Sequence, residues 1–232
     1  MNGCTFRLVD SAKTAAALSE LLDRVWGGTQ LVAPELVRAM AFSGGYAVLV
    51  QDGELVIGGS LGWIGLRDGC TVLHSHATGI VAAHRDRGIG LALKHHQREW
   101  AIRAGIAEIR WSFDPLVRRN AWFNLARIGA KVLAYERDFY GQMLDVTNRD
   151  GPSDRLIVGW STAIVPVVGP VTAGPADVVI EIPDDIVRLR RDDPAAALAW
   201  RLALRDSLAD RLETGHVLRG VDRAGSYVLS PR

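Results

Sequence analysis

Leu18, Leu21, Leu22 and Val25 recur at i, i+3, i+4 and i+7 behind Ser11, a spacing that lines one face of a capped α-helix. Gly27 and Gly28 close it. Pro34 in a first turn, with Leu36, Val37 and Met40 on one side, predicts a second helix. The pattern then changes to strands. A short one is expected at Phe6–Val9, ahead of the first helix, and another at 46–51. Asp52-Gly53 is a hairpin-turn signal, and the partner strand runs from about Leu55 to Gly65. Residues 71–82 predict the next strand, followed by a helix that ends near Ala104. Its stripe is Ile89, Leu93, Gln97, Trp100 and Ala104, and Gly105 stands where a left-handed cap belongs. Ile109, Trp111 and Phe113 alternate in a strand that Pro115 stops. A helix over roughly 117–128, closed by Gly129, precedes strands near 131–135 and 138–145. After a polar loop at 148–153 come strands near 155–167 and 177–182, a helix from Pro194 to Gly215, and a terminal hairpin turning at Asp222–Gly225.

This order predicts an α+β fold, a mixed sheet flanked by helices, with residues 1–167 as the main domain and 168–232 as a C-terminal α+β extension. The chain has 232 residues, 48% hydrophobic and 23% charged, which suits a core-forming protein of that size. Its formal net charge of +1 argues against a duplex nucleic-acid binder. Twenty-seven Lys and Arg against 26 Asp and Glu leave room for a local basic pocket and a small anionic ligand. Cys4 and Cys70 show neither CxxC spacing nor paired histidines, so neither a disulfide framework nor a metal site is expected. The opening MNGCTFRLVD lacks signal-peptide regions, and Pro166, Pro170 and Pro175 interrupt the most apolar late stretch. No membrane partner is expected, and the expected compartment is the cytoplasm.

The stretch most informative about chemistry is GIVAAHRDRGIGLAL at 79–93, which sets Arg85-x-x-Gly88-x-Gly90 between a predicted strand and a predicted helix. Amides at a helix start have no intrahelical acceptor and point outward together, a place of partial positive charge suited to phosphate oxygens. Gly88 and Gly90 admit close approach, and Arg85 and Arg87 add full charge. GxxxxGK[ST] and GxGxxG are both absent, so the stretch is neither a Walker loop nor a dinucleotide fingerprint.

The segment resembles motif A of the GNAT superfamily of N-acetyltransferases, [QR]-x-x-G-x-[GA] after the fourth strand. The likeness extends in element order over about 5–145, and Asn120 and Gly129 match the helix after the fifth strand. It implies a strongly twisted mixed sheet and an acetyl-CoA or other acyl-CoA co-substrate. It further implies that the backbone of Ile80 and Val81 pairs with the pantetheine arm. Arg85 and the amides of Arg87, Gly88, Ile89 and Gly90 would hold the pyrophosphate, and Asn120 would contact the arm or thioester region. WSFDPL at 111–116, RNAWFNLARIGA at 119–130, YERDFYG at 135–141 and SDRLIVGW at 153–160 are similar to a narrower GNAT subgroup. Members of that subgroup carry an added C-terminal segment and accompany N-succinylamino-acid racemases, which implies succinyl-CoA and amino acids.

Acyl transfer to an amine needs a deprotonated amine, placement and a proton for the leaving thiolate. His74 and His76 alternate onto one strand face just before the cradle. A histidine titrates near neutrality, and His76 is the candidate base. Its bland alternative is a hydrogen-bonded structural histidine. Asp114 is a candidate to bind a substrate ammonium, against a turn or cap role. The family's usual acid, a Tyr four residues before the glycine that ends the helix, is replaced by Leu125, so Tyr140 or Tyr135 is the candidate acid. His95 and His96 read as packing or solvated residues. Arg188, Arg190 and Arg191 read as a charged surface run, and Arg155 as an ion-pair residue or a grip for an acyl carboxylate. Two functions stay open: an N-acyltransferase for a small-molecule amine, and a non-catalytic acyl-CoA sensor of the same fold. Residues 168–232 are open to two uses, a homodimer interface or closure of the acceptor pocket.

Overall fold

Ser11 starts the first helix because its side chain can accept the Thr14 N–H (3.3 Å) while Thr14 Oγ1 accepts the Ser11 N–H (3.1 Å). The resulting α1 (Ala12–Trp26) ends at Gly27 with φ 70°, a left-handed cap that glycine adopts without strain. The structure, a computed structural model, describes residues 3–28, 31–141 and 151–232. They form two units: Met1–Trp111 with Ser161–Ile164, and Ser112–Trp160 with Val165–Arg232.

In the first unit β1 (Cys4–Leu8), β2 (Tyr46–Asp52), β3 (Leu55–Arg67) and β4 (Cys70–Ile80) lie side by side in that order, each antiparallel to the next. Before β2 comes α2 (Pro34–Phe42), with Pro34 in its first turn as expected. After β4 a short 3₁₀ turn, Ala82–His84, leads to α3 (Ile89–Arg103), and β5 (Glu108–Phe113) returns parallel to β4. That direction follows from the helical crossover, which a parallel pair requires. The core seats Ala15, Leu18, Leu21 and Leu22 of α1 with Ala47, Leu49 and Leu61 of the sheet. Gly59 allows the approach, since a Cβ there would lie 2.6 Å from Leu18 Cδ1. On α3 the buried stripe is Ile89, Leu93, Lys94, Gln97 and Ala101, so the helix is turned from the expected Trp100–Ala104 line. Arg98 donates to the carbonyls of Ser161 (3.3 Å), Thr162 (2.7 Å) and Ile164 (3.2 Å), which ties that short segment to the unit. His96 is a packing residue, stacked on Phe6 at 4.9 Å and hydrogen-bonded to the Tyr46 hydroxyl at 2.8 Å.

In the second unit α4 (Arg118–Ala121) runs on into a π-helical turn, Trp122–Arg127. β6 (Lys131–Glu136) and β7 (Arg155–Ser161) pair antiparallel. β8 (Val178–Ile180), β9 (Val217–Val221) and β10 (Tyr227–Ser230) form a second sheet in the order β8-β10-β9. Helices α5 (Ile186–Asp192), α6 (Pro194–Leu204) and α7 (Asp210–Glu213) complete the unit, a second π-helical turn joining the last two. Its sheet and helices are anchored by fully buried Leu156, Val158, Leu208, Tyr227 and Leu229.

Three expectations are corrected here. The late strands are shorter, ending at Ser161 rather than 167 and covering 178–180 rather than 177–182. The strand expected at 138–145 is a turn through Arg137–Tyr140, and residues 142–145 lie outside the described residues. Helix α5 was not expected. Asp185 caps it by accepting the Arg188 N–H at 2.9 Å, and it turns Arg190 from a surface residue into one only 9% exposed.

Candidate functional site

The loop after β4 is held in an unusual shape by two left-handed residues, Asp86 (φ 61°) and Gly88 (φ 77°). Gly88 is the N-cap of α3 and offers no side chain to its first amides. The first helical bond is Ala92 N–H to Gly88 O (3.0 Å), so the amides of Ile89, Gly90 and Leu91 precede any intrahelical acceptor. A Cβ at Gly88 would meet no heavy atom of the described residues within 4 Å, so among them the space over this turn is open. Arg85 and Arg87 are exposed beside it, and Arg85 Nε–H donates to Ile80 O at 3.1 Å. The sequence-predicted Arg85, Arg87, Gly88, Ile89 and Gly90 thus gather around one helix start.

The strand that leads there has a free edge. The described β4–β5 ladder runs from Val72–Glu108 to His74–Arg110; beyond it, among the described residues, β4 is paired with β3 alone. Val81 N–H bonds Ile57 O (2.9 Å), which fixes the alternation of the β3–β4 ladder. Residues 81 and 79 therefore turn their backbone groups to β3, and Ile80 and Thr78 turn theirs to the open edge. Val81, expected to share the edge with Ile80, is unsuited to it. Its N–H is used on Ile57, and its C=O accepts from His84 N–H (2.9 Å). Thr78 takes its place, and only the observed register identifies it.

Leu61 pairs with Ala77 and Gly62 with Ser75, so His76 is an extra residue bulged out of β4. The bulge leaves His74 and His76 together, ring centroids 6.0 Å apart, with Trp63 against both at 4.6 and 4.9 Å. Burial pushes the His74 imidazole down to about 4, helped by the proximity of His76 and Lys94. Burial also lowers His76, although its side chain is the more exposed of the two. Both rings are neutral at neutral pH and able to accept a proton.

Behind the bulge stands Lys94, which sequence reasoning missed because a lone lysine in an amphipathic helix ordinarily faces water. It is 4% exposed; Nζ donates to Ser75 Oγ (2.9 Å) and Gln97 Oε1 (3.1 Å) and lies 4.0 Å from the Trp111 ring centroid. Desolvation lowers this ammonium to about 7. Ser60 extends the network, its hydroxyl bonding Ala77 O (2.9 Å) and Thr78 Oγ1 (2.9 Å).

The remaining candidates lie in the second unit. Asn120 is half-buried on α4, and Leu125 is buried in the π-helical turn. Tyr140 sits in the turn after β6, its hydroxyl 3.1 Å from Ser112 Oγ and its ring 5.3 Å from the Arg155 guanidinium carbon. Tyr135 donates to Asp154 Oδ2 at 2.6 Å. Asp114, only 5% exposed, accepts the Leu116 N–H on Oδ1 (2.9 Å), while Oδ2 accepts from Arg190 and from Arg201 (2.8 Å). Burial alone would raise this carboxyl, but Arg201 and Arg190 outweigh it and hold it well below the usual carboxylate range. Its oxygens are engaged by the chain's own donors.

No protein-family model matches the chain, and no curated protein matches its sequence. The fold is that of the GNAT acetyltransferases. Arabidopsis thaliana Naa50, solved with a bisubstrate analogue of CoA, aligns at TM-score 0.53 and 15% identity over 68% of this chain and 99% of its own. A GNAT family acetyltransferase from Elizabethkingia anophelis with acetyl-CoA bound gives 0.53 and 11% over 69% and 99%. The ribosomal-protein-S18-alanine N-acetyltransferase of Escherichia coli gives 0.55 and 12% over 70% and 96%.

Proposed function

We propose that the protein is an acyl-CoA-dependent N-acyltransferase that moves a short acyl group to the amine of a small molecule by direct transfer. The observation that carries this reading is the uncapped start of α3 beside the free edge of β4. One end offers amides and arginines for a pyrophosphate, and the other offers strand hydrogen bonds for an amide-bearing arm. Arg85, Arg87 and the amides of Arg87, Gly88, Ile89 and Gly90 would bind the diphosphate. Ile80 and Thr78 would pair with the pantetheine amides as an added strand.

His76, neutral and held against Trp63, would accept the ammonium proton, directly or through water. Asn120 would contact the arm, and Tyr140 would return a proton to the thiolate. Asp114 is better read as an organiser of Arg190 and Arg201 than as an ammonium site, because its oxygens are already engaged. The narrower likeness to the racemase-associated subgroup supports succinyl-CoA as donor and amino acids as acceptors.

A second reading, a non-catalytic acyl-CoA sensor, is favoured by one observation: Leu125, at the place of the family's usual tyrosine, is a buried packing residue. Thiol release from acetyl-CoA and succinyl-CoA across an amino-acid panel separates the two. The enzyme reading expects release dependent on one acceptor class; CoA binding without release on any amine would leave the sensor.

A further inference from the structure

A cavity of about 290 Å³ in the second unit is lined by Arg190 and Arg201 together with Gly151, Pro152, Pro194, Ala197 and Leu198. Its volume lies near the lower end of the roughly 300–1,000 Å³ usual for small-molecule sites, too small for a coenzyme and suited to a short ligand. The arginines are held rigidly. Arg190 and Arg201 both donate to Asp114 Oδ2, and Arg155 Nη1 lies 4.0 Å from the same oxygen. Arg201 is 5% exposed, and its Nη1 is buried without a hydrogen-bond partner among the described residues. A buried guanidinium N–H left unpaired carries a desolvation penalty that an incoming acceptor removes.

We propose that this cavity binds a small carboxylate, its oxygens taken by Arg201 and Arg190 and its carbon chain lying on Pro194, Ala197 and Leu198. The fork of a guanidinium matches a planar carboxylate, and the apolar remainder of the lining, Pro194, Ala197 and Leu198, favours an organic acid over inorganic phosphate. This goes beyond the acyl-transfer reading and stands without it. Within that reading the carboxylate has two sources, the acyl group of a dicarboxylyl donor or the carboxylate of an amino-acid acceptor.

The full chain without CoA is titrated calorimetrically with succinate, propionate, succinamide and inorganic phosphate. The acids are expected to bind saturably, and succinamide at least roughly 10-fold more weakly, the size of one charge-assisted hydrogen bond. Leu198 is 44% exposed, so Leu198→Glu adds a negative charge at the mouth with little cost to folding. It should weaken acid binding at least about 10-fold with Tm unchanged, while Leu198→Gln binds nearly as the wild type. Absence of saturable acid binding in folded protein, equal binding of succinamide, preference for phosphate, or indifference to Leu198→Glu would each overturn the proposal.

Two further arms identify the source. Loss of affinity for succinyl-CoA but not acetyl-CoA in Leu198→Glu assigns the carboxylate to the donor. Loss for an amino acid but not its amide assigns it to the acceptor. If CoA itself fails to bind, the acyl-transfer reading falls while the acid titration still decides this one.

Discussion

At the residue scale the most informative side chains are those whose ionisation the fold has changed. His76 is lowered by burial, which leaves its ring free to take up a proton in the proposed role of base. The proposed role predicts that kcat/KM falls on the acid side, below the ordinary histidine value of about 6.5, and is level above it. His76→Gln should lower kcat roughly 10²-fold and remove that acid limb. A full-activity variant with the same profile would exclude the role.

Lys94 makes a separate prediction about stability. Its folded value, about 7, lies below the unfolded value of 10.5. As pH falls through 10.5 the unfolded chain takes up the proton first. Stability therefore declines between about 10.5 and 7 and is level below, where both states are protonated. Lys94→Met, which removes the buried amine, should gain about 1–3 kcal/mol at neutral pH, with the gain shrinking as pH rises from about 7 towards 10.5. Thermal melts of the two proteins from pH 6 to 10 check the sign; a gain that grows at high pH would contradict it.

At the element scale two packing features position the site. α1 lies on the sheet through Leu18, 0% exposed and close to Gly59. Leu18→Ala should cost about 2–5 kcal/mol by urea denaturation. At α3, Gly88→Ala adds a Cβ in open space at φ 77°, costing only left-handed strain of about 1–2 kcal/mol.

Much of this scale is legible in the sequence, because caps and periodicity are local. Ser11, Pro34, Gly27, Gly105 and the Asp52-Gly53 turn mark the element ends found, and Arg85-x-x-Gly88-x-Gly90 marks the open start of α3. What was not legible depends on register and tertiary burial. The bulge at His76 comes from the β3–β4 pairing, which also takes Val81 off the open edge and puts Thr78 there. Arg190 looks like one charge of a surface run until Asp185 starts α5 and Asp114 receives the guanidinium. Lys94 carries no sequence signal, since only its neighbours make it buried.

At the scale of the whole molecule, the solved acetyltransferases are covered almost entirely, 96–99% of their length, whereas 68–70% of this chain is used. About a third of the sequence lies outside the aligned fold, and the second unit contains the carboxylate cavity proposed above. No helix among the described residues is long and apolar enough to cross a membrane. A function for the extra chain in selecting donor or acceptor predicts that variants at Leu198 change which substrate is used more than how tightly CoA binds. Affinities for CoA and for both substrates, measured in one variant, check this.

The most direct measurement is calorimetric titration of CoA into the wild-type chain, Gly88→Ala and Gly88→Glu, each with its Tm. One saturable site in the wild type, modest weakening in Gly88→Ala and loss of more than about 100-fold in folded Gly88→Glu are expected, because bulk and negative charge then stand where phosphate must sit. Equal affinity in folded Gly88→Glu, or no CoA binding by the wild type, would contradict a diphosphate grip at the start of α3.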